Sequence, residues 1–338
     1  MKKSFGILPS GEQATLYTIS GGNITATVTD YGAHLVNLWV PDHNGVVADV
    51  VLGYGDCNGY RNGGCFFGAP VGRHANRIGG ASFQLNGKVY PLPVNDNNNN
   101  LHSGPEFFHL RMWQVVNVTG NSIQLRLNSP DGDQGYPGNA IIDMTYELDE
   151  MGGLHIIYDA VCDQDTVFNM TNHSYFNLAG HQNTDACMDQ KISISCDYIT
   201  ADDAVSIPTG ELRSVEGTPF DFKQSTAIGA RINDDYDQLN MQGGYDHNHI
   251  IVSNPCAVLE APDGSRIMEV WTDLPGVQFY AGNYITDHPG KDGVTYVKRS
   301  GICLETQYFP DALHKADWAQ PITKANEPWH SETVYKFI

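Results

Sequence analysis

The sequence predicts an all-β protein built as a large antiparallel β-sandwich with few short helices. In several segments apolar and polar residues alternate with a period of two, as in strands with one buried face. Turn-forming residues are abundant, 35 Gly and 17 Pro among 338 residues, and they are spread along the chain. Helical periodicity is scarce, and no helical segment is long enough to cover a parallel sheet.

The strand candidates follow one another along the whole chain. Asn86-Gly87 lies between two short apolar segments and predicts a two-residue hairpin turn, whose central residues need positive φ. A second hairpin is predicted around Pro262-Asp263-Gly264. Period-two alternation marks three further strands: Ile123–Leu127, Leu154–Ala160 and Ile192–Tyr198. Only residues 225–233 and 312–318 predict a turn or two of helix.

Charge and cysteine content restrict the class of protein. The 39 acidic and 19 basic side chains give a net charge of −20, which disfavours nucleic acid as a partner and favours an uncharged or cationic ligand. The seven cysteines include no Cys-x-x-Cys spacing, so neither a disulfide framework nor a zinc cluster is expected. No apolar run is long enough for a secretory leader or a membrane span, and we therefore predict a cytoplasmic protein.

The segment Asn169–Leu178, which reads NMTNHSYFNL, is the strongest candidate for a site. It combines three amides, an imidazole and two aromatic rings with little helix-forming character. A sugar pocket needs such a combination, because pyranose rings have flat C–H faces and hydroxyl groups that are hydrogen-bonded one by one.

This segment resembles the Thr-Asn-His-x-Tyr-Phe-Asn motif of the aldose 1-epimerases, the galactose mutarotase family. Five further segments resemble family motifs and occur in the family's order: Gly72–Ile78 (GRHANRI), Leu101–Gly104 (LHSG), Tyr245–Asn248 (YDHN), Pro275–Tyr280 (PGVQFY) and Leu304–Ala312 (LETQYFPDA). The resemblance covers nearly the whole chain.

The resemblance implies one domain over residues 1–338 with the galactose mutarotase-like supersandwich fold and the sugar in an open cleft. It also implies an isomerase that interconverts the α and β anomers of free aldoses such as galactose and glucose. The reaction needs a base at the C1 hydroxyl and an acid at the ring oxygen, which exchange roles after rotation about the C1–C2 bond. No metal and no other cofactor is expected.

By the same resemblance, Glu305 is the base, His173 the acid and His102 a second histidine at the site. Sugar-binding roles are implied for Asn76, Arg77, Asp246 and Gln278. Independently of the resemblance, a carboxylate is ionised and an imidazole partly protonated near neutrality, which suits these roles. Glu305 lies in an otherwise apolar strand, yet alternation alone leaves open an exposed position at a sheet edge.

Further assignments concern supporting residues. Arg73 is expected to be structural. Tyr175 and Phe279 are expected to provide wall or packing surface. The run Asn97–Asn100 is interpreted as a loop that positions His102.

Several alternatives stay open at this point. A hexose-6-phosphate 1-epimerase would need basic residues near the sugar tail, and a carbohydrate-binding protein without activity would not need Glu305. His247 and His249 lie on one strand face and could contribute to a metal site, although no further ligands are evident. The preferred aldose, the oligomeric state and the division of work between His173 and His102 are left undecided.

Overall fold

The structure, a computed structural model, describes all 338 residues and consists mainly of antiparallel strands. The predicted fold class is confirmed. Two α-helices are present, Cys57–Asn62 and Asp237–Gln242, together with seven short 3₁₀ segments: Gly79–Ala81, Phe108–Leu110, Asp133–Gly135, Thr184–Asp189, Ile228–Ala230, Lys291–Gly293 and Ala312–His314. None of these helices has the length and apolar character needed to cross a membrane.

Three large sheets form the body of the molecule. In spatial order, the N-terminal sheet contains Lys2–Ile7, Gln13–Gly21, Ile24–Thr29, Leu35–Pro41 and Val47–Asp49. The nine-stranded sheet contains Gln114–Val118, Ser122–Ser129, Ala140–Leu148, Gly153–Cys162, Trp329–Phe337, Ile267–Thr272, Ala257–Glu260, Lys191–Ile194 and Thr226–Ala227. The third sheet contains Pro208–Ser214, Cys196–Asp202, Asp246–Ile251, Gly276–Tyr280 and Cys303–Gln307.

Five two-stranded ribbons connect and cover these sheets. They pair Ala69–Val71 with Thr171–His173, Arg77–Ile78 with Asn100–Leu101, Ser82–Leu85 with Lys88–Pro91, Thr166–Val167 with Ile322–Thr323, and His288–Pro289 with Thr295–Tyr296. A core cluster of 55 buried residues includes side chains from all three large sheets. The sheets therefore pack face to face, as a sandwich requires.

Most of the predicted strands and turns are found. Asn86 and Gly87 have φ of 51° and 76° and join two paired strands, as the hairpin prediction requires. The turn around Pro262-Asp263-Gly264 joins strands that pair through Glu260 and Ile267. The 3₁₀ segments at residues 228–230 and 312–314 lie in the two regions predicted to form helical turns.

The prediction that Ile192–Tyr198 is one strand is wrong. Lys191–Ile194 belongs to the nine-stranded sheet and Cys196–Asp202 to the third sheet, so the chain changes sheets at Ser195. A register shift between Cys196 and Ile199 then reverses the alternation. Ile199 is buried in consequence, whereas Tyr198 is 46% exposed.

The two α-helices were not predicted. Each has only six residues, which is too short to produce a helical repeat in the sequence. The first is recognisable locally, because the Asp56 side chain accepts a hydrogen bond from the Gly59 amide at its N-terminus.

Candidate active site

All seven residues predicted to form the site line one open cavity of about 190 Å³. We call it the main cavity; it is bounded by the third sheet and by the loops that follow Ala69–Val71 and Asn100–Leu101. The seven are Asn76, Arg77, His102, His173, Asp246, Gln278 and Glu305. Residues separated by up to 229 positions in the sequence thus meet at a space large enough for one monosaccharide.

Glu305 occupies a fully buried strand. All five residues of Cys303–Gln307 are buried, although this strand is the last in the third sheet. The exposed position that alternation left open for Glu305 is therefore not observed. Oε1 of Glu305 lies 3.5 Å from Nε2 of His173, and Oε2 is buried without any hydrogen-bond partner. An acceptor with no donor inside a cavity is available to a bound hydroxyl group.

His173 comes from a different element. Its short strand, Thr171–His173, pairs with Ala69–Val71 and brings the imidazole opposite Glu305. The ring lies nearly parallel to Tyr175 and to Phe66, with centroid distances of 5.0 and 5.6 Å. Packing on these rings restricts the imidazole to one orientation.

His102 is held by the loop that the Asn97–Asn100 run introduces. Asn100 donates hydrogen bonds from Nδ2 to the carbonyls of Pro93 and Gly104, which agrees with a positioning role for the run. His102 itself has a φ of 55°, a left-handed conformation that is uncommon for a side chain of this size. Its Nδ1 accepts a hydrogen bond of 3.0 Å from the backbone amide of Asn76, so the ring proton is on Nε2.

Further polar side chains also line the cavity. Asp246 accepts a hydrogen bond of 2.8 Å from Nε2 of Gln278, whose Oε1 in turn accepts one from Gln307. The Arg77 side chain donates from Nε to Asp96 at 2.7 Å and leaves its two terminal nitrogens without a partner in the protein. Its guanidinium group is therefore oriented but still able to donate to hydroxyl groups.

Burial shifts the acid–base properties of the catalytic candidates in opposite directions. It raises the pKa of Glu305 well above its usual value of 4.5, and nearby Asp246 adds to this effect. Burial lowers the pKa of His173 from 6.5 to about 3 and that of His102 well below 6.5. Both shifts favour the uncharged forms, so in the pH range between the two pKa values the Glu305–His173 pair holds one proton.

The comparisons with known proteins agree with this geometry. A family model described as aldose 1-epimerase matches residues 15–336. The chain belongs to the aldose 1-epimerase family of isomerases. It is 38% identical to galactose mutarotase from Mus musculus over 98% of this chain and 97% of that protein. It is 33% identical to aldose 1-epimerase from Escherichia coli K12 over the same shares of the two chains.

A solved structure extends the family resemblance to the fold. Galactose 1-epimerase from Lactobacillus acidophilus NCFM matches with a TM-score of 0.87 at 26% identity, covering 100% of this chain and 98% of that chain. A second aldose epimerase homologue, from C. elegans, matches with a TM-score of 0.86 at 28% identity, covering 96% and 98% of the two chains.

His102, His173 and Glu305 also form the only cluster of metal-ligand type in this family member, with donor atoms within 4.8 Å of one another. The Asn76 amide nevertheless occupies Nδ1 of His102 and leaves a proton on Nε2, and a protonated nitrogen does not bind a metal. His247 and His249 are buried but belong to no such cluster, so the open alternative of a metal site there gains no support.

The structure also places the supporting residues. Arg73 is completely buried and donates to Ser129, Pro137 and Gly138, which is the structural role expected of it. Phe279 packs in the core, whereas Tyr175 lines the main cavity.

Some cavity residues were not predicted at all. Phe66 packs on His173, and Tyr284 is an exposed aromatic side chain at the cavity rim. Phe66 precedes the GRHANRI segment by six residues, and only this proximity could have indicated it.

Proposed function

We propose that the main cavity binds one free aldose, galactose or glucose, and interconverts its α and β anomers, with Glu305 as base and His173 as acid. The observation that carries this proposal is the buried carboxylate facing a buried imidazole across one cavity, with Glu305 Oε2 unpartnered. Ring opening moves a proton from the C1 hydroxyl to Glu305 and another from His173 to the ring oxygen. Rotation about C1–C2 and the reverse transfers complete the reaction.

The proton count of the Glu305–His173 pair is the same at every stage of this mechanism. Before ring opening the proton is on His173, and afterwards it is on Glu305. Burial disfavours both charged groups, so in the empty cavity it favours the form with the proton on Glu305 over the ion pair. A sugar hydroxyl group that donates to Oε2 of Glu305 stabilises the carboxylate, so a bound sugar favours the ion pair with which ring opening begins.

The two histidines have different roles in this proposal. Since a backbone amide can only donate, the hydrogen bond from Asn76 supports the neutral form of His102 and opposes its protonation at Nδ1. His102 therefore donates a hydrogen bond from Nε2 to the sugar without changing its charge. His173 has no such amide partner and carries the mobile proton.

The composition of the cavity disfavours the first alternative function. Arg77 is the only Lys or Arg among the lining residues, and Asp96 already pairs with it. A phosphorylated sugar would bring about two negative charges close to Asp246 and Glu305. An unphosphorylated aldose is the better fit.

We further propose that residues 1–338 form one domain, because one core cluster contains side chains from all three large sheets. We also propose a cytoplasmic location, because all seven cysteines are free thiols.

Polarimetry on freshly dissolved α-D-glucose and α-D-galactose tests the proposal. An epimerase accelerates the change in optical rotation in proportion to enzyme concentration, whereas a carbohydrate-binding protein without activity leaves the spontaneous rate unchanged. Comparing kcat/KM over a panel of aldoses then identifies the preferred sugar.

We expect Asp246→Asn and Arg77→Ala mainly to weaken sugar binding. Each removes one charged hydrogen-bonding group from the sugar, which corresponds to about a 10- to 100-fold increase in KM. The initial rates should be measured over a wide range of sugar concentrations. The exposed residue Asp317 provides the control variant Asp317→Asn, which should match the wild type. Unchanged KM in both site variants would contradict the assigned binding roles.

We expect kcat/KM to have a bell-shaped pH profile with a wide plateau. Activity requires one proton on the Glu305–His173 pair. On the acid side, His173 takes up a second proton only near its lowered pKa of about 3. On the alkaline side, the last proton leaves only above the raised pKa of Glu305. Polarimetric rates that fell with a midpoint near about 6.5, the value of an ordinary histidine, would contradict this prediction.

A further inference from the structure

The imidazole of His173 lies between two side chains of a single strand. Cys303 and Glu305 are two residues apart in Cys303–Gln307, so both side chains point to the same face of that strand. Sγ of Cys303 lies 3.4 Å from Nδ1 of His173, and Oε1 of Glu305 lies 3.5 Å from Nε2. Each ring nitrogen thus has its own neighbour.

The Cys303 thiol is in a position to determine where the ring proton resides. Cys303 is completely buried, and burial raises its pKa well above 9, so the thiol keeps its hydrogen. The side chain of His173 is its only hydrogen-bonding neighbour. When Nδ1–H donates to the sulfur, Nε2, which faces Glu305, is the nitrogen that can give up and take back a proton.

The same thiol can also accept a hydrogen bond from the charged form of the ring. An imidazolium group donates from both nitrogens, and sulfur is a weak acceptor as well as a weak donor. Nδ1–H therefore donates to sulfur in this form as well. His102 differs in this respect, because the Asn76 amide next to its Nδ1 can only donate.

We propose that Cys303 is a positioning residue for catalysis, whose sulfur accepts a hydrogen bond from Nδ1–H of His173 in both charge states, so that Nε2 alone gives up and takes back the mobile proton. This inference rests on the proposed role of His173 as the acid. Cys303 itself does not touch the sugar in this mechanism; it acts through the imidazole.

The variants Cys303→Ala and Cys303→Ser test this proposal. Loss of one hydrogen bond in Cys303→Ala should lower kcat by about three- to tenfold and change KM little. Serine both donates and accepts, so Cys303→Ser should recover most of the lost kcat. Cys256 is an equally buried thiol outside the main cavity, and Cys256→Ala is the matched control for the removal of a buried sulfur.

The ¹⁵N spectrum of the histidine rings provides a readout that a merely structural role would not change. In the wild type, neutral His173 should show a protonated Nδ1 and an unprotonated Nε2, with its signals assigned by their loss in His173→Asn. In Cys303→Ala, the two ring forms should become mixed. If Cys303→Ala does not fold, the wild-type spectrum and Cys303→Ser still decide.

Three results would overturn the proposal. They are a neutral wild-type His173 protonated on Nε2, a Cys303→Ala variant that equals Cys256→Ala in kcat and in its spectrum, and a Cys303→Ser variant with the full defect of Cys303→Ala. Failure of the underlying mechanism is distinguishable, because His173→Asn would then retain turnover whatever the Cys303 variants do.

Discussion

The Glu305→Gln variant is expected to fold, to bind sugar and to lose kcat by about 10² to 10⁴. Glutamine has nearly the same shape as glutamate, but it cannot accept the proton from the C1 hydroxyl. Circular dichroism and polarimetry measure fold and turnover. Glu327→Gln, at an exposed position outside the main cavity, is the control and should match the wild type. Near-normal turnover in Glu305→Gln would show that another group is the base.

The loss in Glu305→Gln should include an indirect effect on His173. The carboxylate 3.5 Å from Nε2 is the anionic partner that favours a charged imidazole in a buried site. Without it, a smaller fraction of His173 carries the proton that the acid must donate. One substitution therefore impairs both members of the pair.

The His173→Asn variant should also lose about 10² to 10⁴ in kcat, because asparagine cannot transfer a proton to the ring oxygen. The combination with Glu305→Gln should be little worse than either single variant, since each one already disables the pair. Polarimetric measurement of kcat for the two single variants and the double variant tests this non-additivity. If the losses in kcat multiplied, Glu305 and His173 would act independently, contrary to the shared-proton mechanism.

Two other histidine variants serve as comparisons for His173→Asn. His102→Gln should lose only about three- to tenfold, because in our proposal His102 contributes a hydrogen bond and no proton transfer. His330→Asn, at an exposed ion pair with Asp159, should retain full activity. A loss in His102→Gln as large as that in His173→Asn would contradict the division of roles between the two histidines.

For the candidate site, the most informative parts of the sequence were short motifs that each contain several polar residues. Four of the predicted site residues lie in loops or very short strands, and all four line the main cavity: Asn76, Arg77, His102 and His173. Their roles remain proposals. The motifs also contain residues with special backbone requirements, such as Asn76 and His102, both with positive φ.

Other features depend on tertiary structure and could not be derived from local pattern. The reversal of faces at Tyr198 results from a register shift between two paired strands, which leaves no trace in the alternation of the strand itself. The contact between Cys303 and His173 joins positions 130 residues apart. In the sequence, Cys303 is simply one more apolar residue of a buried strand.

The enclosed Oε2 atom of Glu305 also affects the energetics of the whole molecule. A buried acceptor to which no protein group donates raises the free energy of the native state by about 1–3 kcal/mol. At position 305, thermal stability and fast turnover therefore require different side chains. Improving either property there by substitution would sacrifice the other, so attempts to make this enzyme more robust belong in the sheets away from the cavity.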